Sequence, residues 1–169
     1  NCMTWAFRKE IEMVYEKKID LHLYQTQHGM DKISRELLAT KKPYKKMLFK
    51  PYFHSEYFPF IAERDPDTIT MGRVSRVDKS KYNPLQIEIY EKVTTNREKK
   101  GIFLGWEDGK MDNMVFGKKP SWIEFYPANG LDINEFYRRC DILLMSTKTF
   151  ENLPRVGFES MSSGSVLVV

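Results

Sequence analysis

Short apolar segments alternate with longer amphipathic segments along most of this chain, and this alternation limits the fold more than any other feature. The apolar segments have the length of strands, and the segments between them carry apolar residues at helical spacing. Strands that alternate with helices are typical of a parallel sheet that is covered on both faces. The sequence therefore predicts an α/β fold with a parallel sheet and helices on both of its faces.

The predicted elements follow from local patterns and from residues that start or end helices. Helices are expected at residues 4–17, 30–40, 84–101 and 132–140, and strands at residues 19–24, 47–53, 69–73, 102–106, 122–126, 141–145 and 165–169. Pro84 suits the start of the third helix and Gly101 its end, and Asp132 with Glu135 resembles a capping box. Residues 54–67, rich in proline and aromatics, are interpreted as a connection.

Composition narrows the class of protein. The chain has 169 residues, of which 41% are hydrophobic, as expected for a globular domain rather than a disordered segment. No apolar run is long enough to predict a transmembrane segment and the first residues do not resemble a secretory signal, so a cytoplasmic protein is expected. Cys2 and Cys140 are far apart and the three histidines form no ligand pattern, so we expect no metal site.

Two glutamates mark the end of the chain. Glu151 and Glu159 lie eight positions apart between the last two predicted strands; Pro154 suits a first helical turn and Gly164 the position after the helix end. Ligands of an open parallel sheet bind beyond the carboxyl ends of its strands, so Glu151 is expected at that rim, with Glu159 about one turn into the helix. In a simpler interpretation, Glu159 pairs with Arg155 one turn earlier and Glu151 is a solvated loop acid.

A basic segment lies between the strand at residues 69–73 and the helix that follows it. Gly72 allows close approach of another group to the backbone. Four cations stand within nine residues: Arg73, Arg76, Lys79 and Lys81. Such a group suits an anionic ligand, and the alternative is an exposed basic turn.

Both segments resemble the motifs of one enzyme family. Glu151 and Glu159, followed by Ser160-Met161-Ser162-Ser163-Gly164, resemble the E-x7-E signature of retaining GT-B glycosyltransferases, glycosyltransferase family 4 in particular. Gly72-Arg73-Val74-Ser75-Arg76 with the following lysines resembles the G-R-[LVI]-S-R...K stretch that begins the donor-binding domain of those enzymes. The two motifs also occur in the order found in that family, with strands and helices alternating between them.

This resemblance implies a role for each segment. In the family, an arginine and a lysine of the basic segment hold the diphosphate of a nucleotide sugar, which implies roles for Arg73 and for Lys79 or Lys81. The acidic segment is implied to bind the donor, with Glu151 on hydroxyls of the sugar and Glu159 on the ribose. Residues implied to contact the donor are Gly72, Arg73, Arg76, Lys79, Lys81, Glu151, Leu153, Pro154, Arg155 and Glu159, and those implied to be catalytic are Arg73, Lys79 and Glu151.

The resemblance further implies the C-terminal half of a GT-B fold. Residues 1–45 would be the trailing part of the first Rossmann-like domain, residues 46–68 the connection, and residues 69–169 a nucleotide-sugar-binding domain that is incomplete at its C-terminus. The activity implied is metal-independent transfer of a sugar from a nucleotide-diphosphate sugar, without a cofactor, to a sugar, lipid or protein acceptor. We expect such a fragment to be inactive alone, and the full enzyme to be cytoplasmic or peripheral at a membrane through the missing domain.

Two other classes compete with this interpretation. A dinucleotide-binding domain would need G-x-G-x-x-G after a strand, and the chain has none. A nucleic-acid-binding or non-catalytic interaction domain is favoured by the sequence pI of about 8.9. However, the basic residues are dispersed among 23 acidic ones, so we do not expect a nucleic-acid partner.

Overall fold

The computed structural model describes residues 8–38, 45–49, 53–148 and 154–169. The chain forms two compact units, of which the first takes in residues 1–53 and 150–154 and the second residues 54–149 and 155–169. The domain boundaries expected from the sequence stay a prediction. None of the described helices has the length and apolar character that crossing a membrane requires.

The first unit combines two short parallel strands with two helices. Its elements are α1 (Arg8–Tyr15), β1 (Leu21–Tyr24), α2 (Gln27–Leu38) and β2 (Lys45–Leu48). Its core contains Val14, Tyr24, Ile33 and Leu37. The two helices and the first strand agree with the sequence prediction, but β2 begins before the expected residues 47–53. None of the side chains of β2 is buried, so core packing does not set the position of this strand. Its position is set by its pairing with β1, in which Lys45 lies opposite Leu21.

The second unit is built on a five-stranded parallel sheet. Its elements in chain order are β3 (Thr68–Val74), α3 (Gln86–Lys92), β4 (Glu98–Leu104), β5 (Ile123–Tyr126), α4 (Ile133–Arg139), β6 (Ile142–Leu144), α5 (Arg155–Ser162) and β7 (Val166–Val168). All pairs are parallel and the strand order is β5-β4-β3-β6-β7. The chain therefore proceeds from β3 towards one edge and then crosses to β6 on the other side of β3. The resulting topological switch point lies between the carboxyl ends of β3 and β6.

Side-chain alternation gives this sheet two buried faces. Phe103 in β4 belongs to a cluster that includes Ile87 and Tyr90 on the side of α3. Its neighbours in the strand, Ile102 and Leu104, belong to a second cluster with residues of α4 and α5. The expected parallel sheet with helices on both faces is thus confirmed.

The third helix is shorter than the sequence predicts. We expected it to reach Gly101, but α3 ends at Lys92, and residues from Glu98 onwards pair with β3 as part of β4. Gly101 lies inside that strand, where an added Cβ would come within 2.7 Å of Ile123 Cγ1. This glycine therefore serves the close packing of a side chain from β5 rather than a helix end.

Two helix-boundary predictions agree with the structure. Asp132 precedes α4, and its side chain accepts hydrogen bonds from the backbone N–H groups of Asn134 (2.9 Å) and Glu135 (3.1 Å). Gly164 follows α5 with a φ of +87°, a conformation that glycine adopts readily.

Candidate functional site

The β3–α3 loop, residues 75–85, carries three of the four predicted cations beyond the end of β3. Asp78 organises this loop, because its side chain accepts hydrogen bonds from the backbone N–H (2.8 Å) and hydroxyl (2.7 Å) of Ser80. These bonds lower the pKa of Asp78. Arg76 lies 3.2 Å from the same carboxylate, and its side chain is 74% exposed. Lys79 is exposed as well, whereas Lys81 is half-buried.

Arg73 does not lie at the rim where the sequence analysis expected it. Its residue is 1% exposed, and its side chain is on the α3 face of the sheet, with Cζ 5.2 Å from the centre of the Tyr82 ring. One guanidinium nitrogen, Nη2, donates a hydrogen bond to the carbonyl of Lys81. In this structure Arg73 therefore supports the β3–α3 loop, and its expected contact with a diphosphate stays a prediction.

Gly72 also has a structural role that differs from the expected one. An added Cβ would lie 2.3 Å from Sγ of Cys140, which directly follows α4, and 2.8 Å from Cζ of Phe136 in the middle of α4. The glycine is buried in the middle of β3 rather than at its carboxyl end. It therefore allows α4 to approach the sheet closely, and its expected contact with a donor stays a prediction.

Glu159 is held in a partly buried site on the opposite face. Its residue is 7% exposed, and Oε2 accepts a hydrogen bond of 2.9 Å from the hydroxyl of Tyr137 in α4. Oε1 lies 3.5 Å from Arg155 Nη2, one turn earlier, so the pair considered in the sequence analysis is present. The Arg155 side chain is 82% exposed, which leaves it able to move away without breaking buried contacts.

The hydroxyl of Tyr137 remains a hydrogen-bond donor at physiological pH. Burial raises the pKa of Tyr137, and the nearby Glu159 carboxylate raises it further. The same hydroxyl lies 3.3 Å from the carbonyl of Val156 in α5. Tyr137 thus orients the Glu159 carboxylate while leaving lone pairs on both of its oxygens for other donors.

A cavity of about 620 Å³ opens at the carboxyl ends of the strands. Val74 and Leu104, which contribute to its apolar lining, belong to the cluster on the α4 and α5 side of the sheet. It therefore lies on the same side of the sheet as Glu159. The rest of its lining follows the ends of β3, β4 and β5 and precedes α4, and includes Ser75, Arg76, Gly105, Ala128, Asn129 and Asp132.

The structure separates the cations that the sequence analysis placed together. Arg76 lines the cavity on the side of Glu159, whereas Lys79 lines a second opening of about 760 Å³ with Lys110 and Asn113. That second opening is on the α3 side, because its residue Val77 packs against the cluster there. Arg73 and Lys79 therefore lie on the α3 side of the sheet, away from Glu159.

The remaining predicted residues lie around the start of α5. Pro154 immediately precedes this helix and is half-buried, and Arg155 is its first residue. Glu151 and Leu153 lie outside the described residues, so their roles stay predictions.

Within the described ranges no group of three or more histidine, cysteine or acidic side chains is arranged to hold a metal ion. The triplet Asp65-Pro66-Asp67 is at the amino end of β3, where Asp65 accepts a hydrogen bond from the backbone N–H of Asp67 (2.9 Å).

Sequence reasoning missed two kinds of site residue. Ala128 and Asn129 contribute to the cavity through their position after β5, and no motif marks them. Gln86 and Ser146 form a partly buried hydrogen bond of 2.6 Å between segments that are 60 residues apart. The available signal for this pair was Gln86 itself, a glutamine beside Ile87 on the core-facing side of α3. Amide side chains are seldom buried, and a buried one normally has a hydrogen-bond partner.

The described geometry defines a class of fold, the doubly wound α/β domain with a candidate cavity at the carboxyl ends of β3, β4 and β5. Comparison with solved structures gives the particular type, since the chain matches GT-B glycosyltransferases. Trehalose-6-phosphate synthase, OtsA, matches with a TM-score of 0.65 and 12% identity, over 95% of this chain and 47% of the other. HepE from Anabaena, in complex with UDP and glucose, matches with a TM-score of 0.65 and 12% identity, over 96% of this chain and 48% of the other.

A third solved structure also matches most of this chain and about half of its own length. Sucrose-phosphate synthase from Thermosynechococcus elongatus has a TM-score of 0.57 and 12% identity, over 87% of this chain and 49% of the other. The chain thus has the GT-B type of fold and spans about half the length of these enzymes. No protein-family model and no curated protein matches the sequence.

Proposed function

We propose that this chain is the nucleotide-sugar-binding, C-terminal half of a retaining, metal-independent glycosyltransferase. The observation that carries the proposal is the cavity at the carboxyl ends of the parallel strands, on the same side of the sheet as the oriented carboxylate of Glu159. Parallel α/β sheets bind their ligands at this edge, next to the switch point. The GT-B fold and the E-x7-E pattern of the sequence support the same assignment.

In this proposal the nucleoside occupies the cavity and its ribose meets Glu159. A carboxylate can accept two hydroxyl protons, and Tyr137 already fixes the orientation of one oxygen. The ribose hydroxyls take the place of Arg155, which is exposed and only 3.5 Å from the other oxygen. Ala128 and Asn129 then lie at the end of the cavity that receives the base.

The diphosphate requires cations because transfer breaks the bond between the anomeric carbon and a phosphate oxygen. The departing diphosphate gains negative charge, which preplaced guanidinium and ammonium groups stabilise without reorganisation. We assign this task to Arg76 and to Lys79 or Lys81 of the β3–α3 loop, with Arg73 supporting the loop from beneath. Glu151 is proposed to bind hydroxyls of the transferred sugar, and the departing phosphate to help deprotonate the acceptor.

Binding measurements on the full chain test this proposal. We expect UDP-, GDP- or ADP-glucose to raise the melting temperature, because a ligand that binds only the folded state stabilises it. Glu159→Gln should weaken binding of the stabilising nucleotide sugar by about tenfold or more in calorimetry, since two charge-assisted hydrogen bonds become weaker. Glu135→Gln is the matched control, because Glu135 also pairs with an arginine of its own helix, at 3.4 Å.

Two results would contradict the proposal. One is the absence of binding for all three nucleotide sugars. The other is an affinity that Glu159→Gln leaves unchanged while the variant remains folded. A separate titration with single-stranded RNA at two salt concentrations addresses the nucleic-acid alternative, which predicts tight binding that weakens steeply with salt.

A further inference from the structure

Hydrogen bonds tie together the two segments that frame the switch point. One is the β3–α3 loop, and the other is residues 145–148, the described start of the β6–α5 connection. The hydroxyl of Ser146 donates to Gln86 Oε1 (2.6 Å), and the carbonyl of Ser146 accepts from the backbone N–H of Asn83 (3.1 Å). The backbone N–H of Lys148 donates to the carbonyl of Ser80 (3.2 Å). The loop that carries the cations is therefore attached to the segment that leads towards Glu151.

Gln86 provides the side-chain half of this attachment at a position that is closed to solvent. It is 0% exposed, and its amide nitrogen Nε2 has no hydrogen-bond partner among the described residues. Burying an amide with an unused donor costs free energy that an apolar side chain of similar size would not cost. Stability alone therefore does not favour glutamine here, whereas the bond from Ser146 requires an acceptor at this position.

The attachment lies on a different face from the nucleoside cavity. Ile87 and Tyr90, which follow Gln86 in α3, belong to the cluster on the α3 side, whereas the cavity is lined by residues of the other cluster. Loss of the Gln86–Ser146 bond would thus change the relation of the two connecting segments without removing any lining residue of the cavity. A ligand that reaches those segments would be affected, and one confined to the cavity would not.

We propose that Gln86 is a positioning residue that sets the β3–α3 loop and residues 145–148 at the spacing required by the diphosphate of the donor. This inference rests on the proposed function, because it assigns the diphosphate to the rim between these two segments. It predicts that Gln86 and Ser146 contribute to affinity for the diphosphate group and not to affinity for the nucleoside.

The test compares nucleoside diphosphates with nucleosides on the full chain. UDP, GDP and ADP, each with its own nucleoside, are titrated by calorimetry into the original protein and into Gln86→Leu, Ser146→Ala and the double variant. For the diphosphate that binds, we expect each single variant to weaken affinity about tenfold and to leave nucleoside affinity unchanged. The double variant should lose no more than either single one, because both remove the same bond.

Two further variants separate positioning from general stability. Ser146→Thr keeps a hydroxyl that can donate to Gln86 and should retain most of the diphosphate affinity. Tyr90→Phe removes a hydrogen bond of 2.6 Å from the same helix to the carbonyl of Gly72, so it should lower stability without changing the ratio of the two affinities. Ser146→Ala, at a half-buried position, provides the measurement if Gln86→Leu does not fold.

Each outcome bears on one of the two proposals. A ratio of diphosphate to nucleoside affinity that Ser146→Ala and Gln86→Leu leave unchanged overturns the positioning role while leaving nucleotide binding intact. An equal change of that ratio in Tyr90→Phe overturns it as well. No binding of any diphosphate or nucleoside to the original protein overturns the proposed function, and the positioning role with it.

Discussion

At the scale of single residues, Gly72 shows how a motif position can serve packing. The sequence places it in a stretch that resembles a donor-binding motif, yet the structure surrounds its α-carbon with Cys140 and Phe136. Arg73, the next residue, points to the opposite face because side chains alternate along a strand. Each of these two residues thus supports the site from within the sheet.

Gly72→Ala should destabilise the protein by about 1–3 kcal/mol, the usual cost of overpacking a core. The cause is the approach of the new Cβ to Cys140 Sγ at 2.3 Å, which requires α4 to shift. Urea denaturation of this variant, of Cys140→Ala and of the double variant measures the coupling. Cys140→Ala should offset part of the loss, and strictly additive effects would count against this account.

At the scale of elements, a lysine of β4 donates hydrogen bonds to the last carbonyls of α3, which ends earlier than the sequence predicts. The ammonium group of Lys99 in β4 donates to the carbonyls of Tyr90 (3.2 Å), Glu91 (3.1 Å) and Val93 (3.2 Å) at the end of the helix. It also lies 4.5 Å from the centre of the Trp122 ring. A cation at a helix C-terminus satisfies carbonyls that have no partner inside the helix.

Lys99→Met should lower the free energy of unfolding by about 1 kcal/mol, because it leaves those carbonyls without their donor. Lys100→Met is the matched control, since Lys100 is exposed and its pair with Glu98 is 3.6 Å long. We expect the control to change stability by less than about 0.5 kcal/mol. Equal losses in the two variants, measured by urea denaturation, would show that the helix end does not depend on Lys99.

At the scale of the whole molecule, the second unit has a core of its own. Both clusters of its sheet consist of residues between 58 and 167 that belong to this unit. Arg64 adds a further tie within the unit, because its guanidinium donates to the carbonyls of Cys140 (2.5 Å) and Ser163 (2.9 Å). The residues that line the cavity and the residue Glu159 are also in this unit.

Residues 54–169 should therefore fold without the preceding residues. We expect this fragment to unfold cooperatively in urea, with a circular dichroism spectrum of mixed helix and strand, because its apolar contacts are internal. A fragment in which Phe103, at the centre of one cluster, is replaced by aspartate is the unfolded control. A gradual transition in the unmodified fragment, like that of the control, would contradict its independence.

Local patterns were sufficient for much of the fold. The parallel sheet, the capping residue Asp132, the turn at Gly164 and the helix between the last two strands all follow from short stretches of sequence. Gly101 misled the prediction because a glycine after a helical pattern is typical of a helix end, and only its neighbour Ile123 in β5 reveals the packing role. That contact joins residues that are distant in the sequence, so no local pattern contains it.

The order of residues along the chain was enough to specify alternating strands and helices and to place Glu159 in a helix after a strand. Only the tertiary structure decided that Arg73 is buried on the α3 face while Glu159 and the cavity lie on the other. It also joined Gln86 to Ser146 across the switch point. The physical reason is that helix and strand propensities act over a few residues, whereas burial depends on which distant segments pack against each face of the sheet.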